Sequence, residues 1–572
     1  MRRNNGEAVA GSSVSHRRAA AGASVLPSSS QRHAAPTADE SAQQEAEISA
    51  LLKVSNGLVQ WSPCGAFLAA AHSNRVTIRE KSTLQIVQQY STVDVIQSVA
   101  WSEDSQLVST AMYKRALVQV RFPFASVMYL MLAIITDFRA RIPIDMATYW
   151  QVWSVKDSSF TCKISEGVAG MVYGKWVPDS RHFITISDFQ LHATVWSLMN
   201  GAKSTIRNPK LTAEGFSFSA DSELLAVAER HDCKDFIGIY KCESWELVMH
   251  FPLESYDCVE ISWSPDNTCV LSNPVMLISS QLTLLGLYYL LTSTIAVRDS
   301  NLEFRVLLYA VNGTLLAKYQ AYEHALGLKA MEWSTSGQFL ALGSFDDHAR
   351  VLSHLNWKPI ADFDHEAVAV TLTRINKTAV EFEEQFADQP ILERPQGKRI
   401  AIALSQQQSS SSLFSNSSLA ASAAAKAAGG RKAREICFIV REPPFSVLAT
   451  TPDPLKENPK MGVSRVSWSS DAAFLATKSD QMPHNVWIWQ TETMMLHAVV
   501  SLIQPVRSLR WDPVHSRLAL VSGENRVYLW APGGVSWVDI PVDEFKAVGA
   551  RWSPSGDALV AIGRQEFCCI SL

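Results

Sequence analysis

A phrase of the form Trp-Ser-x-x-x-x-x-Leu returns along this chain at a nearly constant interval, and that period limits the fold more than any other feature. It reads WSPCGAFLA from Trp61, WSEDSQLVS from Trp101, WVPDSRHFI from Trp176 and FSADSELLA from Phe218. It continues as WSPDNTCVL from Trp263, WSTSGQFLA from Trp333, WSSDAAFLA from Trp468, WDPVHSRLA from Trp511 and WSPSGDALV from Trp552. The uninterrupted intervals are 40, 42, 45, 43 and 41 residues. A period in the low forties is that of a propeller blade, four short strands that cannot bury both faces alone and must stack on their neighbours. The expected fold is all-β, with nine recognisable blades.

Each repeat has the same internal grammar. An alternating strand leads into the aromatic residue, and a turn such as Ser62-Pro63-Cys64-Gly65 or Ser553-Pro554-Ser555-Gly556 follows. An apolar strand comes next (Phe67-Leu68-Ala69-Ala70), then a β-branched or aromatic one (Val527-Tyr528-Leu529-Trp530). Short strands divided by Gly, Pro, Asp and Ser turns are antiparallel meanders. The turn Ser344-Phe345-Asp346-Asp347 and the pair Asp364-His365 sit where blades of the WD type carry structural hydrogen bonds inside the blade, so they are read as structural and not catalytic. The last repeat shows only one strand after its apolar one, Phe567-Cys568-Cys569-Ile570, while a spare strand, Ile48 to Val54, precedes the first Trp. Pairing the two would remove an exposed sheet edge and close a ring.

Three irregularities interrupt the period. The gap from Trp101 to Trp176 is 75 residues and that from Trp263 to Trp333 is 70. Both hold an apolar segment foreign to the repeat, 121–152 and 272–294. Excising the first joins Val118-Gln119-Val120 to Trp153-Ser154-Val155 as one strand. The stretch Val275 to Val297 carries no charge and is long enough to span a bilayer. A spanning helix inside a blade would place its flanking strands on opposite sides of the membrane, so that reading is rejected. Both segments read as translated introns or as loops packed on the propeller, and sequencing the transcript would decide. The third gap, 135 residues from Trp333 to Trp468, contains the Ser/Ala/Gln-rich segment 405–430, whose composition predicts disorder. Strand-like flanks such as Ile436 to Val440 leave room there for a degenerate tenth blade. Common propellers have four to eight blades, so the expectation is two propellers. The first is 46–365 and the second 461–572, with 366–460 as linker and 1–45 as a disordered extension. The Ala, Ser and Arg content of 1–45 is shared with transit peptides, the other reading of that segment.

Composition excludes several function classes. A net charge of −4 gives no pull towards nucleic acid or an anionic membrane. The nine cysteines form no C-x-x-C pair, and their scatter reads as buried thiols of a reducing, cytoplasmic setting. No phosphate-binding G-x-x-x-x-G-K-[ST], no H-E-x-x-H and no G-x-S-x-G is present. The chain is therefore expected to be no enzyme and to need no cofactor or metal. The basic run Arg431-Lys432-Ala433-Arg434 reads as a solvated charge run beside the linker.

One connection stands out. Glu229-Arg230-His231-Asp232-Cys233-Lys234-Asp235 joins two strands of a single blade with six polar or charged side chains in seven. It is either a solvated hairpin with internal ion pairs or a recognition loop on a rigid scaffold. Glu229, Arg230, His231, Asp232, Lys234 and Asp235 are the candidate protein-binding residues.

The runs CKISEGVAG (162–170), AERHDCKDF (228–236), YQAYEHALGLK (319–329) and PVRSLRWDP (505–513) lie outside the generic repeat consensus. They closely resemble the WD-repeat-protein-eight family of centrosome and spindle-pole proteins, and the resemblance covers the chain from about Glu47 onward, outside the two apolar segments and the linker. It implies a non-enzymatic scaffold that works with a coiled-coil partner of the spindle pole or centriolar satellites to anchor microtubule minus ends and support spindle and cilium assembly. In fungi a minus-end-directed kinesin joins that assembly. It implies localisation to the cytoplasm, cytoskeleton and microtubule-organising centre, with no nucleic-acid or membrane partner. The chain departs from the pattern in its extension, its two segments and its linker. The Trp-Asp dipeptide is replaced by Trp153-Ser154, Trp196-Ser197, Trp489-Gln490 and Trp530-Ala531. Fold alone does not choose among functions, so a substrate receptor or assembly factor outside the cytoskeleton is the alternative.

Overall fold

The computed structural model describes residues 47–112, 149–156, 160–166, 171–187, 192–210, 214–266, 293–300, 302–365, 379–386, 436–443, 445, 447, 449–453 and 460–572. Its elements are β-strands arranged as nine sheets. Blade 1 lays down Val59–Trp61, Phe67–His72, Arg75–Glu80 and Ile86–Ser91 in chain order from axis to rim. Seven other blades repeat this plan over 98–164, 171–207, 216–252, 260–319, 328–364, 463–501 and 508–539, and blade 9 lays down three strands over 549–571. In all nine the recurring Trp or Phe ends the innermost strand.

The second strand shows why the sequence needs a ring. In blade 1, Leu68 and Ala70 pack towards blade 9, whereas Ala69 and Ala71 pack towards blade 2. Alternate side chains of a strand point to opposite faces. A strand buried on both faces must therefore be apolar throughout, as Phe67-Leu68-Ala69-Ala70-Ala71 is. The buried core divides into nine clusters, each formed across one junction between consecutive blades, and the ninth joins blade 9 to blade 1.

The aromatic residue ties each junction. The indole N–H of Trp101 donates to the carbonyl of Gln60 (3.1 Å), that of Trp468 to Glu332 (3.2 Å), that of Trp511 to Ser467 (2.9 Å) and that of Trp552 to Arg510 (2.9 Å). Trp61, Trp176 and Trp333 donate to Arg551, Ala100 and Ser262. Every acceptor is the residue just before the aromatic of the preceding blade. Trp263 follows a blade with Phe218 and links through its backbone N–H to the Ser217 hydroxyl (2.9 Å). These tryptophans are buried except Trp511, which is half-buried.

The two-propeller expectation is corrected by these contacts. Blade 6 meets blade 7 through the same Trp468–Glu332 bond used elsewhere, and blade 9 meets blade 1 through Trp61 and Arg551, so the nine blades form one cycle. The tenth blade is also corrected. Val380–Phe386 and Ile436–Arg441 make a hairpin added to the rim of blade 7, with Val380 to Glu383 running parallel to Ala498 to Ser501. Glu383 pairs with Arg441 inside the hairpin, while Glu381 and Glu384 are held from the propeller side. Tyr528 Oη donates to Glu384 (2.8 Å), the Ile503 N–H donates to the same carboxylate (2.9 Å), and Ser501 Oγ donates to Glu381 (2.8 Å).

Both apolar segments contribute at their ends. The third strand of blade 2 is Tyr149–Ser154, with Trp150 and Val152 fully buried, so residues 149–152 belong to the blade and not to the foreign segment. Val118 to Val120, expected in that place, lie outside the described residues. Thr294–Arg298 likewise takes the end of the uncharged stretch as a buried strand of blade 5. The described residues contain no helix long and apolar enough to cross a membrane. Segment 405–430 and residues 1–45 lie outside the described residues.

Closure follows the expected route. Glu47–Ile48 and Leu52–Lys53 pair antiparallel with Glu566–Ser571, Ile48 opposite Ile570 and Leu52 opposite Phe567. The Val54 N–H completes the edge on the Gln565 carbonyl (2.7 Å).

Candidate interaction surface

Because each blade is a meander, one face of the ring carries the hairpins between second and third strands and the connections to the next blade. The other face carries the Ser-x-Asp type turns. The charged segment 229–235 lies on the first face. It is a two-residue hairpin between Leu224–His231 and Lys234–Lys241, with Asp232 and Cys233 at φ of 48° and 62°. Two positive φ values in succession are the geometry whose twist matches flanking strands.

The structure separates the six candidate residues. Glu229 is buried and receives Tyr240 Oη (2.6 Å), while its other oxygen lies 3.2 Å from His250 Nε2. Burial raises the Glu229 pKa against those two partners and, with Glu229 itself, raises that of Tyr240. A Cβ on Gly238 would sit 2.3 Å from Glu229 Oε1, so glycine there makes room for the carboxylate. Asp235 is buried too. Lys210 Nζ (2.7 Å) and the Cys258 N–H (2.6 Å) both donate to it. Arg230 reaches Asp257 (2.6 Å), which also accepts from Lys210 (2.6 Å). The Lys210 hydrogen bond, then that of Arg230, hold the Asp257 carboxyl below its usual range against some burial, and the Asp257 bond raises the Arg230 pKa. Glu229, Asp235 and Arg230 thus belong to a network that joins the foot of the hairpin to the connection between blades 4 and 5. His231, Asp232 and Lys234 are exposed at its tip, His231 Nδ1 lying 3.0 Å from Asp232.

Blade 6 shows the structural role expected of its polar turn, with one extension. The Ser344 hydroxyl and Arg350 both donate to Asp346. His365 is wholly buried, its Nδ1 2.8 Å from the Asp347 carbonyl and its Nε2 2.7 Å from Thr477 Oγ1 in blade 7. Trp489 Nε1 donates to the same hydroxyl (2.9 Å) and Ser479 Oγ to Asp347 (2.6 Å). The Ser344–Asp346–Arg350 bonds stay inside blade 6, whereas those of His365 to Thr477 and of Ser479 to Asp347 cross to blade 7. Burial depresses the His365 pKa to about 4, so it is a neutral crosslink at ordinary pH.

Sequence reasoning missed a basic groove on the same face. A cavity of about 640 Å³ lies among blades 8, 9 and 1, lined by Arg510, Arg551 and Arg564 and by no acidic residue. A second cavity of about 340 Å³ adjoins it, lined by Lys53, His72 and Glu566, and the two share Asn56, Arg564 and Gln565. Burial, with Arg510 beside it, lowers the Arg551 pKa, although the residue keeps much of its surface exposed. No sequence signal gathers these residues, since only the ring brings Lys53 beside Arg564.

No protein-family model matches the sequence. The mouse (Mus musculus) WD repeat-containing protein WRAP73 is 35% identical over 522 residues, which is 90% of this chain and 94% of that protein. The chain belongs to the WRAP73 family of WD-repeat proteins. An uncharacterised WD repeat-containing protein of fission yeast (Schizosaccharomyces pombe) is 20% identical over 66% of this chain and 65% of its own length. Among solved structures, the C-terminal WD40 domain of Sif2 matches with a TM-score of 0.41 at 10% identity, over 92% of this chain and 98% of that one. A chain of a mitotic checkpoint complex matches with a TM-score of 0.35 at 13% identity, over 68% and 86%. Membership of the WRAP73 family makes this a scaffold-type WD-repeat propeller, a class that typically presents its loops to protein partners.

Proposed function

We propose that this chain is a non-enzymatic scaffold of the centrosome and spindle pole, which holds a coiled-coil partner and through it anchors microtubule minus ends for spindle and cilium assembly. The observation that carries the reading is the family membership itself, 35% identity across nearly the full length of both chains. The resemblance in 228–236 and 505–513 supports it, because the first run is the hairpin of blade 4, outside the repeat phrase, and the second carries Ser508 and Arg510 of the basic groove. The exposed tip at His231, Asp232 and Lys234 is proposed as part of the partner-binding surface, with binding energy concentrated in a few residues. A minus-end-directed kinesin is a further member of the proposed assembly.

Proximity labelling from the chain in dividing cells tests this reading. Enrichment of coiled-coil proteins of the pole or centriolar satellites, lost when the chain is unfolded by a core substitution, is the expected result. Enrichment of ubiquitin-ligase or ribonucleoprotein components without pole proteins would overturn it in favour of a receptor or assembly factor outside the cytoskeleton.

A further inference from the structure

The groove across blades 8, 9 and 1 is a built feature. Arg510 and Arg551 project from the innermost strands Ser508–Trp511 and Gly549–Trp552, each one residue before the aromatic that bonds to its neighbour, so rigid inter-blade bonds fix both stems. Arg564 lies in the hairpin of blade 9, next to Gln565, whose carbonyl anchors the closing segment at Val54. None of Arg510, Arg551 and Arg564 has an ion-pair partner among the described residues, whereas Arg298, Arg305, Arg350, Arg517 and Arg526 are all paired. Arg510 and Arg551 repel each other, and although the Glu332 carboxylate is near enough to attract Arg510, three guanidiniums without a direct ion pair lining one cavity lower the free energy of any anion that enters. From there the groove runs outward past Asn56 and Gln565 to Lys53 and His72, with Glu566 as the single acid along it.

We propose that this groove binds an extended acidic peptide segment of a protein partner, its carboxylates taken by Arg510, Arg551 and Arg564 and its backbone leading out past Lys53. The inference rests on the reading of the chain as a protein-binding scaffold and deepens it by naming the partner's chemistry. Shape selects a chain over a single ion, since two joined cavities of about 640 and 340 Å³ exceed what one oxyanion fills. Guanidinium forks match carboxylates bidentately, which fixes register as well as charge. Gly549 faces empty space, with no atom within 4 Å of where a Cβ would sit, so the floor beside Arg551 stays open.

The test is fluorescence polarisation of a labelled oligoglutamate peptide against the full chain, with an oligoglutamine peptide of equal length and inorganic tripolyphosphate as comparisons. Expected are saturable binding of the glutamate peptide, at least tenfold weaker binding of the glutamine peptide, and affinity that falls as salt is raised. The double variant Arg510→Gln/Arg551→Gln should lose at least tenfold. Should that variant fail to fold, Gly549→Glu is a second probe, because it leaves the arginines in place and puts a carboxylate into the cavity, and it should lose binding similarly. Lys358→Glu, in an exposed turn of the opposite face, should bind as wild type. Equal binding of the two peptides, unchanged binding by folded arginine variants, or tighter binding of tripolyphosphate that displaces the peptide would each overturn the proposal. This binding is read with purified protein and so fails or succeeds independently of where the chain resides in the cell.

Discussion

The indole N–H of Trp61 donates to the backbone carbonyl of Arg551 at 3.3 Å, joining residues 490 apart in sequence. That bond closes the ring, while the side chain of the same Arg551 lines the basic groove. Closure and the proposed binding surface are therefore coupled, and what loosens the junction of blades 9 and 1 should also disorder the groove.

Truncation separates the extension from the closing strands. Removing residues 1–44 keeps Ile48 opposite Ile570 and should leave a soluble, cooperatively melting protein. Removing 1–55 strips both closing strands from Glu566–Ser571, exposes an apolar edge and should cause aggregation. Size-exclusion profiles of the two truncations check this, and equal solubility would count against closure.

A single inter-blade bond can be weighed at the junction between blades 6 and 7. Trp468→Phe keeps most of the buried ring but removes the N–H that reaches the Glu332 carbonyl. A loss of about 1 kcal/mol in urea unfolding is expected for the bond, against roughly 3–5 kcal/mol for Trp468→Ala, which also empties the core.

Two buried groups give opposing pH dependences. His365 falls from an ordinary 6.5 to about 4 on burial, so its contribution is present above pH 6.5 and is lost as pH falls towards 4. Glu332 is raised by burial from 4.5 to about 7, despite hydrogen bonds from the Trp468 N–H and the Ser467 hydroxyl. Its contribution is present below pH 4.5 and is lost as pH rises through about 7. Glu332→Gln should uncover a fall in stability from pH 6.5 to 4, with a ceiling of about 3 kcal/mol. His365→Phe should uncover the reverse slope, a gain from pH 7 down to 4.5, on a protein already weakened because the Thr477 hydroxyl, still accepting from Trp489, loses its bond to His365. Melting curves across this range would show both.

Charge reversal at the blade 4 hairpin should split by position. Arg230→Glu sets a carboxylate beside Asp257 and Asp235 and should lower the melting temperature measurably. Lys234→Glu changes an exposed charge and should leave stability within about 0.5 kcal/mol of wild type, while weakening partner capture in pull-downs. Normal capture by Lys234→Glu would reduce the tip to solvated structure.

Much of this architecture was legible in the sequence, for a physical reason. A blade buried on both faces must repeat its apolar strands, its turn and its inner aromatic, so Trp61 to Trp552 can be counted without coordinates. The closing role of Ile48 to Val54 was legible because a missing strand and a spare one were both visible. The number of rings was not, since a ring is decided by which blades touch and not by how many exist. The third strand of blade 2 was misplaced because Tyr149 to Val152 share the apolar character of the segment before them. The hairpin on blade 7 was mistaken for a degenerate blade because its buried glutamates find partners in blades 7 and 8, far along the chain. Glu229 and Asp235 looked like surface charge for the same reason, their partners Tyr240, His250 and Cys258 lying on other strands and in the connection to blade 5.

The central claim is that this propeller works at the spindle pole. Imaging the chain tagged at its native level through mitosis, beside a pole marker, tests it most directly. Paired foci at both poles, and at basal bodies in ciliated cells, are expected. A diffuse or nuclear signal in cells where the tagged chain is intact would contradict the account.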